Sequence, residues 1–227
     1  MNTKISSNNK STIIDFGTDV FLFSQNQGEK DISNDINLNI GLGKNSELDY
    51  IFAWKNQSRG RNLRISLSGD YARANIYGFI IANKQEKSSV ATVIEHASPH
   101  TQGNCLIKGL IDDNAQLILH GMIKINQTAS NSQDQLTEKI LVLNPNATGE
   151  LKPELEISNH DVKASHATTI SHIDEDQLWH LQSRGLTKEI AIRLLVNGYV
   201  SEIIQIISEL IIPKGLLKRI IKQSTIK

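Results

Sequence analysis

SVATVIEHAS (Ser89–Ser98), NCLIKGLIDD (Asn104–Asp113) and AQLILHGMIK (Ala115–Lys124) follow one another with only short corners between them. Within each run apolar residues alternate with other types, which is the period of a strand rather than a helix. Small or polar residues fall at the corners. Three runs of similar length and texture in succession form a weak quasi-repeat, the sequence mark of stacked rungs.

The same texture extends outward. Alternation is visible in INLNIGL (Ile36–Leu42), LRISLSG (Leu63–Gly69) and NIYGFII (Asn75–Ile81). Turn residues punctuate the runs at Gly43-Lys44-Asn45, Gly60, Asn83, Pro99, Asp112-Asp113-Asn114 and Asn144-Pro145-Asn146. No helical period of useful length interrupts the stretch from about Thr12 to about Ser165. NQTASNSQDQ (Asn126–Gln135) lacks bulky apolar residues and reads as a loop between rungs. Many short strands spaced by turns fit a sandwich, a barrel or a parallel β-helix, and periodicity alone leaves the three open.

The texture changes after Ser171. Asp174 is placed to cap a helix, with Gln177 three residues on, and Gly185 suits the left-handed position after its last turn at Arg184. Thr187 caps a second helix carrying Ala191, Leu194 and Leu195 on one face. Gly198 is expected to interrupt it. A third helix is expected from Tyr199 to Leu210, and Pro213 suits the first turn of a basic last helix, Lys214 to Lys222. The division expected is a flexible N-terminus over 1–11, a β core over 12–171 and a helical, partner-docking domain over 172–227.

Composition excludes several function classes. The chain has 227 residues and a net charge of +0, which provides no long-range attraction to nucleic acid or anionic lipid. Aromatic residues make up 5%, too few for a base-stacking face. One cysteine, Cys105, rules out an internal disulfide, a zinc ribbon or an all-cysteine cluster site within the chain. MNTKISSNNKS at the start has no apolar core of a secretory signal, and the apolar run Ile203–Ile212, broken by Gln205, Ser208 and Glu209, is too short and polar to span a bilayer. Neither a nucleic-acid nor a membrane partner is expected.

Chemistry-bearing residues are few. His160, His166 and His172 are spaced by six, and His180 follows, with no HExxH-type carboxylate beside them. His160, His172 and His180 read as surface or turn residues. His166 stands apart because Ala164, Ser165, Ala167 and Thr168 are small and leave its imidazole uncrowded, able to ligate iron or take a proton near neutral pH. Cys105, inside a strand, reads first as a packing residue. The adjacent acids Asp112-Asp113 are the nearest approach to a hydrolase pair, but neighbours in a turn point apart.

VKASHATTISHIDEDQLWHLQSRGLTKEIAIRLLVNGY (Val162–Tyr199) resembles a segment near the C-terminus of the SufB/SufD proteins of iron–sulfur cluster assembly. IEHASPHTQGNCLIKGLIDDNAQLILHGMIKI and LVLNPNATGELKPELEISNHDVKASH resemble two further tracts of that family, in the family's order. The resemblance covers about Thr92 to Tyr199 and says little before Ser58. It favours the SufD form: the strand near Lys139 lacks the cysteine of SufB, and His166 stands where SufB has glutamate. Where many SufD proteins carry cysteine before the Ser-His pair, this chain has Ala164. Family members are longer and begin with a helical region, so the chain is expected to be short at its N-terminus.

The resemblance implies a mostly β fold, a right-handed parallel β-helix with a small C-terminal α-helical domain. It implies a non-catalytic scaffold subunit that pairs with a SufB-like chain at the end of the β-helix and docks a SufC-like ATPase through the C-terminal helices. His166 would be one ligand of a transient iron–sulfur cluster shared with the SufB-like chain, which would supply the others. Lys163, Ser165 and Thr168 would face the scaffold partner. Leu178, Arg184, Gly185, Leu186, Leu194 and Leu195 would form the ATPase-docking unit. ATP chemistry would belong to the ATPase, since this chain has no GxxxxGK[ST] loop. The setting implied is cytoplasmic, or a plastid or another organelle, and whether a flavin joins the complex is left open. Two other readings stand beside it: an interaction module without cluster chemistry, motivated by Ala164, and a β-helix carbohydrate-active enzyme using Asp112-Asp113.

Overall fold

The fold is a parallel β-solenoid of about five turns with two helices following it, seen in a computed structural model that describes residues 2–5, 8–16, 20–24, 28–32, 37–56, 60–210, 215 and 218. Each turn of the solenoid gives one strand to each of two sheets. One sheet has six strands: β1 (Asn2–Ile5), β5 (Asn37–Leu42), β7 (Arg61–Leu67), β9 (Lys87–His96), β11 (Gln116–Ile125) and β13 (Thr148–Ile157). The other runs from β14 (Val162–His172) through β12 (Ser132–Val142), β10 (Gln102–Ile111), β8 (Arg73–Ala82), β6 (Glu47–Lys55) and β2 (Lys10–Asp15). It ends in an antiparallel ribbon of β3 (Val20–Ser24) and β4 (Gly28–Ile32). Of the alternatives left open by periodicity, the β-helix is therefore the one adopted. Strand β1 and the first two residues of β2 lie in the stretch expected to be flexible, where they pair with β5 and β6. Ser132–Gln135, expected in a loop, opens β12.

Register holds across rungs. Glu47, Arg73, Gln102, Gln133 and Lys163 stand in one row of the larger sheet, and Ile51, Tyr77, Leu106, Thr137 and Ala167 in another. Strands β9 and β11 alternate buried and part-exposed positions, as a sheet with one solvated face must. Strands β6 and β8 are buried at almost every position. Their second face is covered by a helix, so apolar residues such as those in NIYGFII serve two cores.

The inner core fills the solenoid with Leu48, Tyr50, Phe52, Ile76, Ile107, Leu117 and Ile140, among others. The outer core lies on the far face of the larger sheet. There Ile51, Phe79, Ile81, Leu106 and Leu110 meet Val196, Val200, Ile203 and Ile207 of α2 (Lys188–Glu209). Those four helix residues recur at intervals of four, three and four, one stripe of a continuous helix. Gly198 does not interrupt it. A glycine inside a helix costs only about 1 kcal/mol, and burial of the stripe on both sides of Gly198 outweighs that. Residues expected as a third helix are thus the second half of α2, and α2 shares a core with the sheet rather than forming a separate one. The uninterrupted helix is long and apolar enough to cross a membrane by length and composition, although its buried face here lies on the sheet.

A polar clasp fixes that packing. Lys108 Nζ, almost fully buried, donates to Tyr199 O at 2.6 Å, lies 2.7 Å from Glu202 Oε2 and sits 4.9 Å from the centre of the Tyr199 ring. Tyr199 Oη donates to the carbonyls of Lys139 and Gly109 at 2.9 and 3.2 Å. Helix α1 (Glu175–Ser183) packs on α2. Asp174 caps α1, accepting from the amides of Asp176 and Gln177, and Gly185 follows at φ +91°. Thr187 Oγ1 accepts from Ile190 N to start α2. Most of the expected last helix, Lys214–Lys222, lies outside the described residues.

One set of corners carries a ladder of residues with positive φ: Asn45, Tyr71, His100 and Asn131, between 53° and 62°. Each sits two residues before its member of the Glu47–Arg73–Gln102–Gln133 row. Each donates its amide to the next rung, to the carbonyls of Asp70, Pro99, Ser130 and Asp161 at 2.7–3.3 Å. Asparagine tolerates this region through local hydrogen bonding, whereas Tyr71 and His100 are uncommon there. Their rings stack in compensation, 4.7 Å apart and 6° from parallel.

Candidate functional site

The inward positions of β12 are Ser132, Asp134, Leu136, Glu138 and Ile140. Two of them carry carboxylates into a core that is otherwise apolar. Burying a charge is costly unless it is paired, so each needs an account.

Asp134 has one. His96, fully buried at the end of β9, places Nε2 2.7 Å from Asp134 Oδ2 and Nδ1 2.7 Å from Thr101 Oγ1. Thr101 Oγ1 also lies 2.7 Å from Ser132 Oγ and bonds to Ser98 O at 3.0 Å. Gly103 leaves room for the Asp134 side chain, since a Cβ there would fall 2.3 Å from Oδ2. Burial pushes the Asp134 carboxyl above its ordinary range, against the opposing hydrogen bond and charge of His96. The network is sealed from solvent and ties a corner to two strands; it is a structural clasp.

Glu138 is different. Its carboxylate is fully buried and reaches across the solenoid toward β11, where Gly121 makes space: a Cβ on Gly121 would lie 2.8 Å from Glu138 Oε2. Glu138 Oε2 stands 3.4 Å from His166 Nε2, with the two side chains 1% and 3% exposed. That separation allows charge attraction, yet it is too long for a good N–H···O bond. Both oxygens of Glu138 and both ring nitrogens of His166 lack a hydrogen-bond partner. Leaving such groups unsatisfied costs about 1–3 kcal/mol each, so the pair is the least satisfied place in the core.

His166 lies on β14, the terminal strand of the larger sheet, and β13 is terminal in the other. The last rung therefore presents unpaired strand edges, together with the exposed side chains of Leu155, Ile157 and Ile170. Of Lys163, Ser165 and Thr168, which the resemblance assigns to the scaffold partner, strand alternation puts the first two on one face of β14 and the third on the other. Lys163 and Ser165 face outward, where they line a groove of about 740 Å³ with Gln102, Asn104, Gln133 and Gln135. Thr168 shares the face of His166. Ala164 also shares that face and stands opposite Asp134 in register.

His160, His172 and His180 are exposed, and His180 packs edge-on to Trp179. Cys105 is buried, and burial pushes its thiol well above the ordinary value, with the carboxylates of Glu138 and Asp134 adding to the shift. It suits packing and not ligation, which requires the thiolate. Asp113 Oδ2 accepts from Lys84 N and Asp112 Oδ1 from Asp113 N, so both carboxylates serve their own turns. Of the docking residues, Leu178 is buried between the helices, Leu186 and Leu195 are half-buried, and Arg184, Gly185 and Leu194 are exposed. Trp179 (65% exposed) and Ile190 join Leu194 (51%) as exposed large apolar residues of the helices.

Sequence reasoning missed Glu138, His96 and Asp134. The signal was present as parity: Asp134 and Glu138 alternate with Leu136 and Ile140 on the apolar face of one strand. Among the described residues no group of three or more His, Cys, Asp or Glu is arranged to hold a metal ion. A cluster therefore needs donors beyond those gathered here.

Residues 10–199 match the family described as SUF system FeS cluster assembly, SufBD core domain. The chain is 27% identical over 159 residues to the iron–sulfur cluster assembly protein SufD of Escherichia coli, covering 70% of this chain and 38% of that one. It is 30% identical over 139 residues to the SufD protein of Bacillus subtilis, covering 61% and 32%. A chloroplastic protein of Arabidopsis thaliana is 38% identical over 90 residues, or 40% of this chain and 19% of that one. The chain thus spans well under half the length of these curated relatives.

Proposed function

Because the chain belongs to the SufBD core family of the SUF iron–sulfur cluster assembly system, we propose that it is a non-catalytic, SufD-like scaffold subunit whose last rung contributes His166 to a nascent cluster. The observation that carries this reading is the pair of unpartnered nitrogens on a buried His166 in a strand at the open end of the solenoid. The cluster is cargo, held between this chain and a SufB-like partner. The chemistry of the donors supports sharing. Cluster iron takes mostly thiolates, with histidine as an occasional substitute, and the single thiol of this chain is buried and held protonated.

The edges of β13 and β14, with Leu155, Ile157 and Ile170, form the surface for the SufB-like chain, since paired edges would continue both sheets across the junction. Trp179, Ile190 and Leu194 form an exposed apolar face on the helical hairpin, suited to a SufC-like ATPase. Because α2 is clasped to the sheet by Lys108, ATPase motion would reach the solenoid as a rigid displacement. The setting is the cytoplasm or a plastid.

Co-expression with a SufB-like and a SufC-like chain, followed by anaerobic cluster reconstitution, tests this. A stable complex is expected, with cluster capture lost in His166→Ala. Capture at the wild-type level in that variant would remove His166 from the site and leave an interaction module in its place. A carbohydrate-active enzyme is disfavoured by the local turn bonds of Asp112 and Asp113.

A further inference from the structure

Pro153 stands inside β13, whereas Pro99 and Pro145 sit at corners. Proline has no N–H, so within a sheet it belongs on an edge strand with its nitrogen turned away from the ladder. The hydrogen bonds fix which way it faces here. Thr148 N donates to Ala115 O and Ser158 N to Ile125 O, both at 2.9 Å, so the even-numbered residues of β13 turn their backbone groups toward β11. The register between the two strands is unbroken from Thr148 to Ile157. Alternation therefore turns the odd-numbered residues toward the free edge. Gly149, Leu151, Leu155 and Ile157 each offer an N–H there, and Pro153 in their middle offers none. The edge of β14 has no such gap. Glu47, Arg73, Gln102 and Gln133 each donate their amide to the preceding rung, at the carbonyls of Asn9, Ser46, Ala72 and Thr101. Lys163 shares their row, so Val162, Ala164, His166, Thr168, Ile170 and His172 turn their backbone groups to the free edge.

A strand laid on β14 finds a continuous ladder. A strand laid on β13 has one carbonyl opposite Pro153 with no donor, and a buried carbonyl without a partner is costly. A second copy of this chain carries the same gap, so a two-fold junction that uses β13 leaves two such carbonyls. A different chain meets the gap once, and a bulge or a strand end of its own placed there avoids the loss. We propose that Pro153 is a specificity determinant of the junction. It disfavours pairing with a second copy and directs the last rung to a different chain, while β14 carries the continuous ladder. The inference rests on the reading of the last rung as the junction with a SufB-like chain and adds the residue that selects such a chain.

The test compares self-association of the full chain, measured by sedimentation, with its binding to the SufB-like chain, measured by calorimetry. Pro153→Ala restores the donor at the edge and touches no bond to β11. It is expected to raise the ratio of self-association to SufB-like binding at least about fivefold over wild type, the worth of one hydrogen bond. A smaller change in that ratio overturns the role of Pro153. Thr168→Pro opens the same kind of gap in β14. It is expected to weaken SufB-like binding at least about fivefold relative to Thr168→Ala, which keeps the N–H; a smaller loss overturns the part given to β14. Should either variant fail to fold, amide exchange in the wild-type complex decides. Stronger protection of Ala164, His166 and Thr168 than of Leu151 and Leu155 upholds the inference, and equal protection overturns it. A complex that forms and captures cluster yet is indifferent to both substitutions sinks this inference and leaves the scaffold reading standing. A wild type that does not bind the SufB-like chain sinks the scaffold reading, and the self-association of Pro153→Ala against wild type still judges the proline.

Discussion

Replacing Glu202 by alanine is expected to destabilise the protein more than replacing Lys108 by methionine, although the two residues make one ion pair. Lys108 Nζ is buried, whereas Glu202 is 52% exposed. Removing Glu202 leaves a buried ammonium with only the Tyr199 carbonyl and ring for company. A hydrogen bond to a charged group contributes about 1.5–3 kcal/mol, and solvent around Glu202 reduces that to about 1–2 kcal/mol. Methionine instead fills the space of the lysine stem and removes the buried charge, so Lys108→Met is expected within about 1 kcal/mol of wild type. The double variant should match Lys108→Met, so the coupling equals the cost of Glu202→Ala alone, about 1–2 kcal/mol. Urea unfolding followed by fluorescence of the buried Trp54 measures all three. The pH dependence adds a second check. The hydrogen bond from Lys108 holds the Glu202 carboxyl below its ordinary value of 4.5. Its contribution is therefore full above that value and is lost as pH falls through the lowered one, so the gap between wild type and Glu202→Ala should close on acidification. A Lys108→Met variant less stable than Glu202→Ala, or a double variant whose loss is the sum of the singles, would refute the reasoning.

Three further outcomes follow from the geometry. Cys105 should resist a thiol-specific disulfide reagent at neutral pH in the folded chain and react at once in denaturant, because burial raises its thiol; prompt native-state labelling would contradict its placement. Gly121→Ala should lower stability by about 1–3 kcal/mol by crowding Glu138 and Leu136, read as a loss in melting temperature, and no loss would mean the carboxylate lies elsewhere. Ile203→Ala should cost about 2–5 kcal/mol and shift one cooperative transition, since Ile203 is buried against the sheet. Two separate transitions would instead restore an independent helical domain.

The solenoid was legible because strand alternation is local and the rungs repeat it. SVATVIEHAS and AQLILHGMIK announce β9 and β11 almost by themselves. Helix caps were equally local, and Asp174, Gly185 and Thr187 stand where their side-chain chemistry suggested. The misreadings all turn on contacts distant in sequence. Gly198 looked like a break because the sheet beneath α2 is invisible from within the helix. Strand β1 and the start of β2 looked flexible because their partners lie roughly 37 residues onward, a pairing no local rule reports. His166 drew notice through its small neighbours, but Glu138 belongs to another strand, and only the register of β12 with β14 brings the two together.

The ladder of left-handed corner residues decides where the chain tolerates a change of length. Four residues separate β5 from β6, five separate β7 from β8 and β9 from β10, and six separate β11 from β12. Throughout, the left-handed residue keeps its distance of two from the row it precedes, so all the variation falls upstream of it. An insertion before Tyr71, His100 or Asn131 only enlarges a surface bulge. The same insertion one or two residues later turns every following side chain of that strand to the opposite face, sending Glu138 to solvent when it falls after Asn131. Each rung thus has one permissive side and one forbidden side, divided by a single backbone conformation.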